Sequence, residues 1–197
     1  MRFAFWPGTA NSWDDTLALS RHAEATGWDG IYVADHFMPN QSDTSGPMLE
    51  CMTALTVAAT ATRRAMLGTC VVQLPLRQAP AVAKQAASLQ SLTRGRMVLG
   101  VGVGRPASAY EVSGIDYATR GRQLDDGIAQ VRRAWASGTG AVGGDIAGGN
   151  SDRYRQLPAP PAIPIWVGGS SEVALRRAAF SADGWIPMLL APEEYSA

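Results

Sequence analysis

The sequence predicts an α/β fold in which parallel strands alternate with helices. Short apolar runs and amphipathic stretches take turns along the 197 residues, and the apolar runs are hydrophobic throughout rather than at every second position. Strands of that kind are buried on both faces, as in parallel sheets that are covered by helices. An open doubly wound sheet and a closed barrel both satisfy this pattern.

The strand and helix segments have recognisable starts and stops. Residues 3–6 form an apolar run that a Pro-Gly pair closes, which predicts a buried strand and a turn. Ser12 and Asp15 have the spacing of a capping box, so the first helix begins there and stops at Gly27. By the same criteria we expect strands at 30–34, 66–72, 96–103, 164–167 and 185–187, and helices at about 49–62, 81–92, 119–135 and 172–180.

Polar or small residues lie at or near the ends of successive predicted strands, at Asp35, Cys70, Gly102 and Gly168. This placement favours a barrel whose site is assembled from the loops at one end. A barrel of eight strand–helix units uses about 250 residues. We therefore expect residues 1–197 to form one TIM-like (β/α) barrel domain with about six of the eight units, incomplete at its C-terminal side. The Gly-, Ala- and Pro-rich stretch 138–161 predicts a surface excursion of this domain.

Composition and charge argue against several classes of protein. Lys+Arg and Asp+Glu both number 17, so no net charge attracts nucleic acid or an anionic membrane. The apolar runs are far shorter than the ~20 residues of a membrane span, and no signal-peptide pattern is present, so we expect a cytoplasmic protein. The cysteines and histidines lack the spacing of a disulfide framework or a zinc site, and no metal is expected; they are Cys51, Cys70, His22 and His36.

The pair Asp35 and His36 is the most specific candidate for acid–base chemistry. It follows a predicted buried strand, and histidine is the side chain that titrates near neutrality. A capped strand end with a satisfied histidine explains the pair equally well. His22 lies within a helix beside charged residues and is expected to be at the surface.

Two glycine-rich segments are candidates for cofactor binding. Residues 168–171 read Gly-Gly-Ser-Ser between a strand and a helix, where backbone N–H groups and the helix dipole would cradle a phosphate. A tight turn with a serine N-cap is the alternative. Residues 102–107 match G-x-G-x-x-A, but Pro106 within the turn disfavours a dinucleotide site. A glycine-lined barrel mouth explains that segment better.

Three further groups have both a structural and a functional interpretation. Glu50 is either catalytic or a favourable charge at a helix N-terminus. The charges at 120, 122, 125 and 126 predict a network within the first turn of a helix. The aromatic residues at strand ends could pave a pocket or fill the core; they are Trp6, Phe37 and Trp166.

Together these segments resemble the bacterial luciferase-like flavin and deazaflavin oxidoreductases over nearly the whole chain. The similarity consists of a series of motifs in the family's order and spacing. They are WDGIYVADHF at 28–37, LGTCV at 67–71, LTRGRMVLGVGVG at 92–104, RGRQLDD at 120–126, and PIWVGGSS at 164–171 with DGW at 183–185.

The resemblance implies a TIM-like barrel that binds coenzyme F420 or, as the alternative, FMN at the carboxyl ends of its strands. The Asp-His form after the second strand is more similar to the deazaflavin branch. It implies that His36 moves the proton that accompanies hydride transfer and that Asp35 orients or tunes it. The remaining implied contacts are a non-prolyl cis peptide between Cys70 and Val71 against the ring, Gly102 and Gly104 along the cofactor tail, and Gly168, Gly169 and Ser170 at its phosphate.

The function expected from this resemblance is hydride transfer between coenzyme F420 and a small organic substrate. The alternatives are an FMN-dependent monooxygenase that uses O₂ and a non-catalytic flavin-binding remnant, and a nicotinamide dehydrogenase ranks last. Full-length family members continue for two more units, so the open sheet edges lead us to expect a homodimer. Substrate contacts are expected in the loops 39–47 and 138–161.

Overall fold

The structure is a computed structural model that describes residues 2–7, 12–36, 49–105, 107–136, 157–160 and 162–188. Strands and helices alternate, as the sequence predicts. The strands are β1 (Ala4–Phe5), β2 (Gly30–Val33), β3 (Met66–Thr69), β4 (Val72–Gln73), β5 (Met97–Gly102), β6 (Ile165–Gly168) and β7 (Gly184–Ile186). The helices are α1 (Trp13–Ala25), α2 (Cys51–Ala61), α3 (Ala79–Leu92), α4 (Ala107–Val112), α5 (Arg120–Ala136) and α6 (Glu172–Ser181).

The strands form one parallel sheet in the order β1-β2-β3-β5-β6-β7, and β4 pairs with β5 beside this path. The order follows the chain without reversal, which is the winding of a (β/α) barrel and not that of a doubly wound sheet. The described strands thus make an incomplete TIM-like barrel. Among the described helices, none has the length and apolar character that a membrane span requires.

The main core lies between the outer face of the sheet and the helices. Alternate strand residues such as Ile31, Leu67, Leu99 and Ile165 are at most 1% exposed and pack against the helices. Since neighbouring residues of a strand point to opposite faces, the residues between them point to the inside of the barrel.

Aromatic side chains and glycines share the inner face of the sheet. The rings of Tyr32 and Trp166 stack with their centroids 5.9 Å apart. A Cβ at Gly184 would lie 2.5 Å from Trp166, so the small residue makes room for the indole. Trp166 therefore fills the inner face, whereas Trp6 is 58% exposed. Phe37 lies outside the described residues, as do the loop 39–47 and most of the stretch 138–161.

Three expectations about the elements are corrected. The strand expected at 66–72 is two strands, because the peptide between Cys70 and Val71 is cis and interrupts the extended chain. The strand expected at 3–6 is only Ala4–Phe5 and is not buried, because it lies at the sheet edge with β2 as its neighbour. The short helix α4 was not expected, since six residues hold too little periodicity to reveal it.

The capping box is confirmed, while the predicted charge network is not. The Ser12 hydroxyl accepts the Asp15 N–H, and the Asp15 carboxylate accepts the Ser12 N–H. Asp125 pairs with Arg177 of α6, with an N–O distance of 2.5 Å, instead of with the arginines at the start of its own helix. Arg120 lies over the ring of Tyr117 at 3.9 Å.

Candidate active site

The candidate residues converge at the carboxyl ends of neighbouring strands. Asp35 and His36 follow β2, Cys70 directly follows β3, and Gly102 and Gly168 are the last residues of β5 and β6. Because these strands are parallel and adjacent, their carboxyl ends lie along one rim. The sequence-predicted residues therefore belong to one rim of the sheet.

The Asp35 carboxylate is buried in an ion pair with Arg77. Arg77 binds it with two parallel hydrogen bonds, Nε to Oδ2 at 2.9 Å and Nη2 to Oδ1 at 2.6 Å. The Asp35 side chain is 3% exposed and that of Arg77 is 18% exposed. The Gln73 N–H also donates to Oδ2, at 3.1 Å. Both oxygens of Asp35 are thus occupied by groups from the segment after β3.

Glu50 joins the same ion-pair network from α2. Its Oε1 lies 2.9 Å from Nη1 of Arg77. The carboxylate also accepts the N–H groups of Met52 and Thr53, which makes Glu50 the N-cap of α2. The structural interpretation of Glu50 is thus the one observed. Arg77 bridges two carboxylates and ties the end of β2 to α2 and to the start of α3.

The ionisation of this network follows from its contacts. Burial raises the pKa of Glu50, but hydrogen bonds from Thr53 and Met52 and the charge of Arg77 outweigh it, so this pKa lies below its ordinary value. Burial lowers the pKa of Arg77, but the bonds and charge of Asp35 raise it above its ordinary value. Arg77 is therefore a permanent cation in this network.

Sequence reasoning missed Arg77 and Gln73. The Arg77–Asp35 pair joins residues 42 positions apart, and Arg77 is one of 17 basic residues. No motif considered in the sequence marks Arg77. A position soon after a strand, at the rim where Asp35 was already placed, is the one signal that could have drawn attention to it.

His36 is half-buried, and its Nδ1 is fully buried without a hydrogen-bond partner. Within the described part of the chain, no hydrogen bond joins the side chains of His36 and Asp35. An unpaired buried ring nitrogen is unfavourable unless another group completes it, so it points to a site for a ligand or for proton transfer. His22, by contrast, is exposed on α1.

Val71 lies between two of the predicted glycines. A Cβ at Gly102 would approach Val71 Cγ2 at 2.6 Å, and a Cβ at Gly168 would approach Val71 Cγ1 at 2.7 Å. The cis peptide between Cys70 and Val71 that the resemblance implied is present. Burial raises the pKa of the Cys70 thiol. The Val71 side chain thus packs directly on both glycines, and a side chain larger than glycine at either position would displace it.

The segment 168–171 contains the predicted helix cap. The Ser171 hydroxyl accepts the Ala174 N–H and caps α6. The Ser170 hydroxyl donates to the Met188 carbonyl at 2.8 Å and accepts the Met188 N–H at 2.9 Å. Gly169 has φ +125°, a conformation suited to glycine. Phosphate binding by Ser170 stays a prediction, one that requires its hydroxyl to exchange the bonds to Met188.

A cavity of about 490 Å³ borders this network. It is lined by Asp35, His36, Glu50, Leu76, Arg77, Gln78, Ala81, Val82 and Gln85. The lining combines an imidazole, amides and ionised groups with a short apolar wall, which suits a small polar organic molecule.

The carboxylates beside Arg77 already pair with a protein cation. Ligand atoms of Asp35, Glu50 and Cys51 lie within 4.8 Å of one another. Arg77 already supplies the cation, since it pairs with both carboxylates. Burial and the charge of Asp35 raise the pKa of the Cys51 thiol well above its ordinary value.

Comparison with known proteins identifies the family. The profile of the luciferase-like monooxygenase family matches residues 1–197. The chain belongs to this family. An uncharacterized protein of Mycobacterium tuberculosis is 33% identical over 191 residues, covering 86% of this chain and 64% of that protein. The F420-dependent glucose-6-phosphate dehydrogenase of Amycolatopsis mediterranei is 29% identical over 176 residues, covering 87% of this chain and 52% of that enzyme.

Solved structures of luciferase-like proteins share the fold. An F420-dependent secondary alcohol dehydrogenase, solved with an F420-acetone adduct, superposes with a TM-score of 0.85 at 21% identity, covering 98% of this chain and 59% of that one. The FMN complex of a type II Baeyer-Villiger monooxygenase from Pseudomonas putida superposes with a TM-score of 0.67 at 18% identity, covering 87% of this chain and 52% of that one. The chain therefore spans about half to two thirds of the length of these luciferase-like relatives.

Proposed function

We propose that this luciferase-like chain is a deazaflavin-dependent oxidoreductase, with coenzyme F420 as cofactor and a small organic molecule as substrate. The observation that carries the proposal is the buried, unpaired Nδ1 of His36 on the rim that also holds the cis peptide and its flanking glycines. The F420-dependent relatives add support. A homodimer and a cytoplasmic location are parts of the same proposal.

The residues at the rim fit such a cofactor. Gly102 and Gly168 let the Val71 side chain, next to the cis peptide, lie directly against the ends of β5 and β6, because neither glycine has a Cβ. The imidazole of His36 is half-buried at the same rim and has a free nitrogen. A hydrogen-bonding ligand would therefore complete a group that is otherwise unsatisfied.

Each residue has a distinct role in the proposed reaction. Bound F420 would supply a carbon that gives or takes a hydride. His36 would donate or accept the proton at the substrate oxygen, as general acid–base catalysis requires. The Asp35 carboxylate is already bound by Arg77 and by the Gln73 N–H. Asp35 would instead fix the end of β2.

Cofactor titration tests the proposal directly. We expect fluorescence titration of the purified chain to give saturable binding of F420 and weaker binding of FMN. Tight FMN binding with O₂ consumption would favour the monooxygenase alternative. Binding of F420 without turnover on a panel of alcohols, ketones and aldehydes would favour a non-catalytic remnant. Absence of binding to both cofactors would contradict the proposal.

Substitution of a glycine that contacts Val71 should weaken cofactor binding. In Gly168→Ala the new Cβ would meet Val71 at 2.7 Å, and the stiff branched side chain would have to move. Overpacking of this kind costs about 1–3 kcal/mol, so we expect a roughly tenfold or larger rise in the F420 dissociation constant.

Gly121→Ala is the matched control for this measurement. A Cβ at Gly121, in α5, meets only Arg177 Nη2 at an ordinary 3.5 Å. Its dissociation constant should equal that of the wild type. If Gly168→Ala and Gly121→Ala bound F420 with equal affinity, the contact between Gly168 and Val71 would not be part of the cofactor site.

A further inference from the structure

Gln73, the last residue of β4, holds Asp35 at two points. Its main-chain N–H donates to Oδ2 of Asp35 at 3.1 Å, and its side-chain Nε2 donates to the Asp35 main-chain carbonyl at 2.6 Å. Both hydrogen bonds are buried, and Gln73 is 2% exposed. None of the motifs or roles assigned above uses the side chain of Gln73.

The carbonyl that Gln73 binds belongs to the peptide unit that joins Asp35 to His36. A hydrogen bond to this oxygen fixes the plane of that peptide, and with it the direction in which the His36 side chain leaves the backbone. The Nδ1 of His36 has no hydrogen-bond partner of its own. The ring orientation therefore depends strongly on the backbone to which the ring is attached.

The carbonyl end of the Gln73 side-chain amide lies in an unfavourable environment. Its Oε1 is buried without a hydrogen-bond partner. An unsatisfied buried acceptor of this kind is unfavourable. The amide packs on Gly104, where a Cβ would overlap the Gln73 side chain. Methionine would fill the same space without that cost, so packing alone does not explain a glutamine here.

We propose that Gln73 is a positioning residue that sets the orientation of the His36 imidazole through the Asp35–His36 peptide. The inference rests on the proposed function where it concerns catalysis, because His36 is the acid–base group there. The orientation itself is a property of the chain and is measurable without cofactor.

The first test uses the ligand-free protein. The sequence has two histidines, so a ¹H–¹³C correlation spectrum resolves the ring signals of His36 and His22. In Gln73→Met we expect the His36 ring signals to shift or broaden, while those of the exposed His22 stay in place. Unchanged His36 signals would overturn the proposal, whatever cofactor the chain binds. Shifts of both histidines would indicate general unfolding and would equally overturn it.

The second test separates positioning from binding. Misplacement of a catalytic group by about 1 Å can cost up to about 10²-fold in rate. We therefore expect Gln73→Met to lower kcat by roughly 10–10²-fold, with unchanged KM and unchanged F420 affinity. A rise in KM with kcat unchanged would mean that Gln73 contacts substrate instead, and would overturn the positioning role.

The activity of Gln73→Glu, relative to the wild type, should recover as the pH is lowered. A protonated glutamic acid can donate to the Asp35 carbonyl as the amide does, whereas its carboxylate cannot. The charged and titratable groups around this position are the Asp35 carboxylate, Arg77 paired with it, and His36 beyond the peptide. The ratio of the Gln73→Glu rate to the wild-type rate should rise as the pH falls. A ratio that is independent of pH would overturn the proposal.

The spectra and the kinetics distinguish a failure of the proposed function from a failure of the positioning role. If the wild type shows no turnover with any cofactor, the proposed function fails, and the ligand-free spectra still decide whether Gln73 orients His36. If the wild type is active and the spectra of Gln73→Met are unchanged, the positioning role fails alone.

Discussion

His36→Ala should lower kcat by roughly 10²–10⁴-fold, the range that general acid–base catalysis contributes. The imidazole of His36 lies at the described rim with an unpaired ring nitrogen, whereas the carboxylates of Asp35 and Glu50 are both engaged with Arg77. F420 affinity should change little, since Val71 and the glycines it contacts are untouched. Steady-state kinetics and fluorescence titration measure the two quantities separately.

His22→Ala is the control for this substitution. His22 is exposed on α1 and should leave kcat unchanged. Added imidazole should restore part of the His36→Ala activity, because a free base can enter the space that the side chain vacates. A rate for His36→Ala equal to that of the wild type would remove His36 from the mechanism.

The sequence predicted the rim well because it depends on local patterns. Strand ends are visible as the point where an apolar run stops, and parallel strands bring their carboxyl ends to one side. Asp35, Cys70, Gly102 and Gly168 therefore fell where they were expected. The alternation of strands and helices alone left an open doubly wound sheet possible, and the placement of these residues together with the resemblance predicted the barrel winding that the structure has.

The contacts behind the rim were not predictable from the same patterns. Gln73 lies in an apolar stretch, and its partner Asp35 is 38 residues away. Which polar groups meet across such a distance depends on strand register and on the cis peptide that breaks the third strand. The exposure of β1 depends likewise on what lies beside it in the sheet and not on its own apolar sequence.

The relation between Asp35 and His36 was likewise not predictable from local sequence patterns. The resemblance implied that Asp35 orients or tunes His36, without showing by which contacts. In the structure the Asp35 carboxylate is directed to Arg77 and Gln73 instead. Any influence of Asp35 on His36 would therefore pass through the backbone or through the charge of the Asp35–Arg77 pair. The role of Asp35 therefore depends also on Arg77, the cation that pairs with it.

Arg77→Met should destabilise the protein by about 3–5 kcal/mol, the cost of leaving one member of a buried ion pair without its partner. The Asp35 side chain is 3% exposed, so solvent cannot replace the two hydrogen bonds that Arg77 provides. Urea denaturation of the cofactor-free protein measures this loss. Arg176→Met is the control, because Arg176 pairs with Glu172 on the surface, where such pairs contribute at most about 1 kcal/mol.

The double variant Asp35→Asn with Arg77→Met shows whether the buried charge is the cause. If the loss in Arg77→Met comes from an unpaired carboxylate, removing that carboxylate should restore part of the stability, and the double variant should be more stable than Arg77→Met alone. If instead Arg77 acted mainly by packing its aliphatic stem, methionine would largely replace it and the single variant would match Arg176→Met. A double variant less stable than Arg77→Met would equally contradict the ion-pair account, because the second substitution would then remove a favourable contact rather than an uncompensated charge.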